Sequence, residues 1–236
     1  LDWDWLLNTV PALPSDGLLR VARPLMWAVV VAAASAWVTV TVWRSGPEAQ
    51  GRRVARWVAA CCAAWCLLPS PWSLAHHLSL AFMLPSWTTV LLCGMSLWRS
   101  SFAINSKAKN PQKISGKSPL FLKLLWAGAF ILGTVLLADT FILLPFALYR
   151  WGFGTAVVAT LALLAAVAWV STAPGSVTRA QASVVALALV FHVVTRLPSG
   201  NVFDAVIDPL LWMWLLVSGL KRFRGASAAA ATTTRG

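Results

Sequence analysis

Residues 25–43 read Leu-Met-Trp-Ala-Val-Val-Val-Ala-Ala-Ala-Ser-Ala-Trp-Val-Thr-Val-Thr-Val-Trp, and the residues after them bring Arg44, Arg52, Arg53 and Arg56. The first stretch holds no charge and does not alternate, so it is not a membrane barrel strand. As a helix rising about 1.5 Å per residue, it matches a hydrocarbon layer about 30 Å thick. Lipid offers the backbone no hydrogen-bond partner, so helices or a closed barrel must satisfy it internally. Helices are the expectation.

Outward from this stretch the same alternation of apolar block and basic gap continues. Of the 236 residues, 59% are apolar and 11% charged, which is too much apolar surface for one water-soluble globule. Apolar blocks are expected to form helices over about 25–43, 54–68, 86–98, 120–138, 153–170, 183–195 and 202–220. The second and sixth are short for a span of about twenty residues. The fold class is therefore an all-α polytopic membrane bundle of about seven helices, with six or eight as neighbouring counts.

Charge sets the orientation. The gaps after the first, third, fifth and seventh helices hold Arg44, Arg52, Arg53, Arg56, Arg99, Lys107, Lys109, Lys113, Lys117, Arg179, Lys221, Arg222, Arg224 and Arg235, and Lys123 joins them. The other side has Arg20, Arg23, Arg150 and Arg196 together with six of the seven acids. Cytoplasmic loops carry the excess of Lys and Arg. The N-terminus is thus placed outside or in a lumen and the C-terminus inside. The net charge of +12 is spread over loops flanking apolar blocks, which suits anionic headgroups and argues against nucleic acid. An integral, multi-pass protein of a bacterial plasma membrane or an organellar inner membrane fits this pattern.

The chain divides into an interfacial N-terminal segment (1–24), a first membrane half (25–98), a basic flexible linker (99–119), a second membrane half (120–224) and a disordered tail (225–236). Trp3 and Trp5, alternating with Asp2 and Asp4, suit a segment lying at headgroup level. The start at Leu1 rather than Met suits a chain that has lost a leader. Residues 72–84 are expected to re-enter the membrane, to lie on it, or to extend a neighbouring helix. Leu-Pro-Ser recurs at 13–15, 68–70, 84–86 and 197–199, all on the outer side of this map, where Pro and Ser end or start helices. Residues 54–99 and 179–222 echo one another: basic residue, short apolar block, Leu-Pro-Ser, polar break, long apolar block, basic end. Transporters contain repeats of this kind.

Chemistry is sparse. His76, His77 and His192 are the candidate haem ligands, balanced against plain interfacial and partner-facing hydrogen bonding. Asp139, Asp204 and Asp208 are the acids nearest lipid depth, where ionisable groups are costly. Asp204 and Asp208 stand four residues apart, within reach of Arg196. This set reads either as a structural cluster stitching two helices together or as an outer ion site. Asp208-Pro209 also marks a helix start, with proline in the first helical position. Cys61, Cys62, Cys66 and Cys93 lie inside apolar blocks and read as buried hydrophobes, with no metal site. Arg52, Arg53, Arg56, Lys107, Lys109, Lys113, Lys117, Lys221, Arg222 and Arg224 are expected to contact anionic lipid or a partner subunit. Fifteen tryptophans suggest aromatic belts and contacts with neighbours or bound lipid. No hydrolase, metalloprotease or phosphate-loop motif is present. The expected function is a non-catalytic subunit with a structural or assembly role in a membrane complex, carrying no cofactor beyond bound lipid. The alternative is a small-solute or ion transporter or channel with an outer-face site at Arg196, Asp204 and Asp208.

Overall fold

The computed structural model describes residues 13–43, 48–102, 120–145, 147–173 and 176–220. Every regular element among them is helical: α1 (Asp16–Val42), α2 (Glu48–Cys66), α3 (Leu74–Phe82), α4 (Trp87–Phe102), α5 (Leu120–Thr140), a 3₁₀ turn (Tyr149–Phe153), α6 (Thr155–Val170), α7 (Val177–Thr195), α8 (Val202–Val206) and α9 (Pro209–Leu220). The residues 1–12, the lysines of the linker, Lys221, Arg222, Arg224 and the tail lie outside the described residues.

α1 starts well before Leu25. Ser15 Oγ accepts from the Leu18 N–H at 3.4 Å, and Asp16 occupies the first turn, where a negative charge favours the helix dipole. Pro24 sits inside the helix and forfeits one backbone bond without ending it. Residues 16–24 of the segment expected to be interfacial are therefore helix, because helicity does not stop where apolarity does. The same reason lengthens the second and sixth helices to 48–66 and 177–195, taking in Arg52, Arg53, Arg56 and Arg179. Residues 72–84 contain a separate nine-residue helix, α3.

The expected continuous helix over 202–220 is two helices. Ile207 is extended (φ −137°, ψ 134°), as the restriction before proline makes easy at Asp208, and Asp208 Oδ1 then accepts the Leu211 N–H at 2.7 Å to start α9. Residues 141–145, 147 and 148 are irregular, with Ile142 in the left-handed region at φ 57°.

α1 packs along α2 and against α4, α4 against α7, and α7 against α6. Small residues line these contacts: Ala22, Ala28 and Ala32 of α1, Ala55 and Ala59 of α2, Ala165 and Ala168 of α6, Ala182 and Ala188 of α7 are buried. Small side chains let helix backbones approach closely, as in membrane bundles. Many of the large apolar side chains point the other way. Trp37, Trp57, Leu163, Val170, Val194 and Trp214 are exposed, several by more than half of their surface.

One end of the bundle gathers the chain breaks. Leu84 and Leu197, from two of the Leu-Pro-Ser segments, pack with Ala22 and Met26 of α1. The Trp27 Nε1–H donates to the Met83 carbonyl at 3.1 Å, and the Ser73 hydroxyl donates to the Cys66 carbonyl at 2.6 Å. Asp16–Val42 is the one helix among the described residues long and apolar enough to cross a membrane; Ala127–Thr140, Thr155–Val170, Arg179–Thr195 and Pro209–Leu220 are shorter apolar helices.

Candidate functional site

The polar residues of the interior concentrate at the end where the breaks meet. Pro85 stops the chain before α4, and Ser86 then caps that helix: its Oγ accepts the Thr89 N–H at 3.1 Å. Asp208 caps α9 in the same way. The two caps face one another. The Ser86 N–H donates to Asp208 Oδ2 at 2.7 Å, and the Thr89 hydroxyl donates to Asp208 Oδ1 at 3.0 Å. The Ser86 hydroxyl in turn donates to Thr89 Oγ1 at 2.9 Å. Ser86, Thr88, Thr89 and Asp208 are all buried. Two helix N-termini thus converge on one carboxylate, and both of its oxygens accept. Burial of a charge is tolerable on these terms, since the oriented N–H groups replace lost water.

A second carboxylate holds the neighbouring loop. The Tyr149 hydroxyl and the Ser199 hydroxyl both donate to Asp204 Oδ2 in short hydrogen bonds. Asn201 ties the same pieces together. Its Nδ2 donates to the Tyr149 carbonyl at 2.7 Å and its Oδ1 accepts the Phe203 N–H at 2.9 Å. Gly152 leaves room for this: a Cβ there would lie 1.9 Å from Asn201 Oδ1. Burial, together with the bond to Asp204, pushes the Tyr149 phenol well above its ordinary range. Asp139 closes the end of α5, where its Oδ2 accepts the Tyr149 N–H at 2.7 Å.

The structure therefore brings Asp139 and Asp204 together through Tyr149 and sends Asp208 to a different partner, the start of α4. Arg196 is the left-handed cap of α7 (φ 57°) and, among the described residues, forms no ion pair with Asp204 or Asp208. The four-residue spacing of the two acids does not put them on one helix face, because the break at Ile207 falls between them.

His192 is fully buried in α7, and its Nδ1 lies 3.1 Å from the Leu197 carbonyl. A carbonyl only accepts, so Nδ1 carries the proton and Nε2 presents a lone pair. Nε2 has no partner among the described residues, and neither does Trp87 Nε1. The Trp87 ring stacks on Phe191 at 4.8 Å, one residue from His192. His76 and His77 form an edge-on pair on α3, with ring centroids 5.4 Å apart. No group of three or more His, Cys, Asp or Glu side chains able to hold a metal ion occurs among the described residues. Of the cysteines, Cys66 is buried, Cys62 and Cys93 are half-buried and Cys61 is exposed.

Arg52, Arg53 and Arg56 are exposed along the first turns of α2. Thr89, Tyr149 and Asn201 join these polar clusters without having been singled out in the sequence, whereas Ser86 and Ser199 belong to Leu-Pro-Ser segments expected to start or end helices. A signal existed for one pair: Pro85-Ser86-Trp87-Thr88-Thr89 is a helix start. Tyr149 and Asn201 carry no such signature, since their roles depend on long-range packing. No family model matches the chain, and no curated protein or solved structure matches it.

Proposed function

We propose that the protein is a seven-helix, multi-pass membrane bundle that serves as a non-catalytic structural or assembly subunit of a larger membrane complex. The observation that carries this reading is the amount of large apolar surface left outside: alanines and polar caps make up much of the buried set, while most of the described tryptophans and many branched aliphatics are exposed. In water each large side chain left out would forgo about 1.5–3 kcal/mol of burial. Lipid or an apolar partner removes that deficit. α1, α2, α4, α5, α6, α7 and α9 cross the bilayer on this account, with α3 and α8 lying at the outer end. Arg52, Arg53, Arg56 and the lysines of the linker then meet anionic headgroups inside. Asp139, Asp204 and Asp208 support a structural role, because each accepts hydrogen bonds from the protein itself.

Gentle extraction tests the subunit reading. Companion polypeptides in constant proportion are expected to co-purify; a stable, lone monomer or small homo-oligomer sinks it.

A second reading, transport of a small solute or ion, has one observation in its favour. α2–α3–α4 and α7–α8–α9 share the plan of long helix, Leu-Pro-Ser break, short helix and long helix, and the N-termini of α4 and α9 meet at Asp208. Interrupted segments at matching positions are where transporters place their sites. Solute flux in proteoliposomes that survives Asp204→Asn with Asp208→Asn removes this reading's site.

A further inference from the structure

At the other end of the bundle, away from Asp208, a cleft of about 260 Å³ opens between α4 and α7. Leu92, Met95 and Val184 wall it, and Ser96, Arg99 and Gln181 ring its mouth. Val184 is buried and Leu92 and Met95 are half-buried, whereas the three polar residues are exposed. The cleft is thus apolar inside and polar at its rim. Arg99 stands in the last turn of α4, and among the described residues no acid pairs with it. Of the seven acids in the chain, Glu48 alone belongs to this basic end, where basic residues far outnumber it.

Farther along the same two helices, Trp87 of α4 stacks on Phe191 of α7. From Arg99 to Trp87 is about 18 Å of helix, close to one leaflet's share (about 15 Å) of the hydrocarbon layer. The occupant that fits has an anionic head, a donor-seeking phosphate and an apolar tail.

We propose that the α4–α7 cleft binds one anionic phospholipid, its phosphate at Arg99, Ser96 and Gln181 and its acyl chain against Leu92, Met95 and Val184. The proposal rests on the reading of the protein as a membrane bundle. A zwitterionic lipid carries its own cation beside the phosphate and is disfavoured next to Arg99.

The test uses the full chain, stripped of lipid in mild detergent and titrated with phosphatidylglycerol and then phosphatidylcholine, with binding read by native mass spectrometry. One phosphatidylglycerol is expected to bind about fivefold or more tightly than phosphatidylcholine. Arg99→Gln and Gln181→Glu, both at exposed positions, are each expected to weaken it by about fivefold. Arg20→Gln, an exposed arginine on α1 at the opposite end of the bundle, is expected to leave the affinity unchanged. Equal affinity for the two lipids, no weakening by either cleft variant, or equal weakening by Arg20→Gln overturns the proposal. An alkaline wash of the source membranes separates the two failures: release of the protein overturns the membrane reading as well, whereas retention confines the failure to the cleft.

Discussion

Tyr149 is the sole tyrosine of the chain, so its titration can be followed without assignment. Its phenol is held protonated by burial first and by the bond to Asp204 second. A folded-state pKa raised above the unfolded value of about 10 stabilises the fold fully below that pH. That contribution is lost as pH rises from there toward the folded pKa. The folded protein is therefore expected to show no tyrosinate absorbance at pH 10.5, about half a unit above the ordinary phenol pKa, while the denatured chain does. Tyrosinate appearing in the folded protein near pH 10 would show that the Asp204 contact is not made. Asp208→Ala strands the Ser86 and Leu211 N–H groups and the Thr89 hydroxyl, and is expected to lower stability by on the order of 3 kcal/mol, read as a thermal shift in detergent. Asp208→Asn keeps an acceptor and should cost less. A shift no larger for Ala than for Asn would deny the capping role. Gly152→Ala has no room beside Asn201 and is expected to cost at least about 2 kcal/mol by the same measurement. Asp208 was visible in the sequence as an acid before proline. Its partner at Ser86 was not, because the two stand 122 positions apart in the chain and meet through packing alone.

At the scale of elements, α5 meets α9 through a small patch. A Cβ on Gly133 would stand 2.6 Å from the Trp212 ring and 2.8 Å from Ile207, and the Trp212 Nε1–H donates to Thr134 Oγ1 at 3.1 Å. Phe130 stacks on Trp212 at 6.1 Å. Gly133→Leu is expected to push α5 off α9, seen as loss of a disulfide cross-link engineered between the two helices; a cross-link formed as efficiently as before would contradict the packing. Helix existence was legible from apolar blocks and basic gaps. Helix limits were not: Ser15 and Ser176 start their helices by capping, and charged turns such as Arg52–Arg56 continue them. The division at Ile207 was half legible, since Asp208-Pro209 announced a start but the preceding apolar run gave no sign of an end.

At the scale of the molecule, Asp139, Asp204 and Asp208 gather at one end with Arg150 and Arg196, Arg52, Arg53, Arg56, Arg99 and Arg179 stand toward the other, and many large apolar side chains are exposed between them. The proposed bilayer would accommodate that exposed apolar surface. The proposed topology assigns Ser70, between α2 and α3, to the outside and Ser115 of the linker to the inside. The direct measurement is labelling by a membrane-impermeant maleimide of single cysteines at these positions, in a chain whose Cys61, Cys62, Cys66 and Cys93 are replaced. Ser70→Cys is predicted to react in intact cells or sealed organelles, and Ser115→Cys only after the membrane is opened. Reaction of both from the same side, or release of the protein by alkaline wash, would contradict the seven-helix membrane bundle.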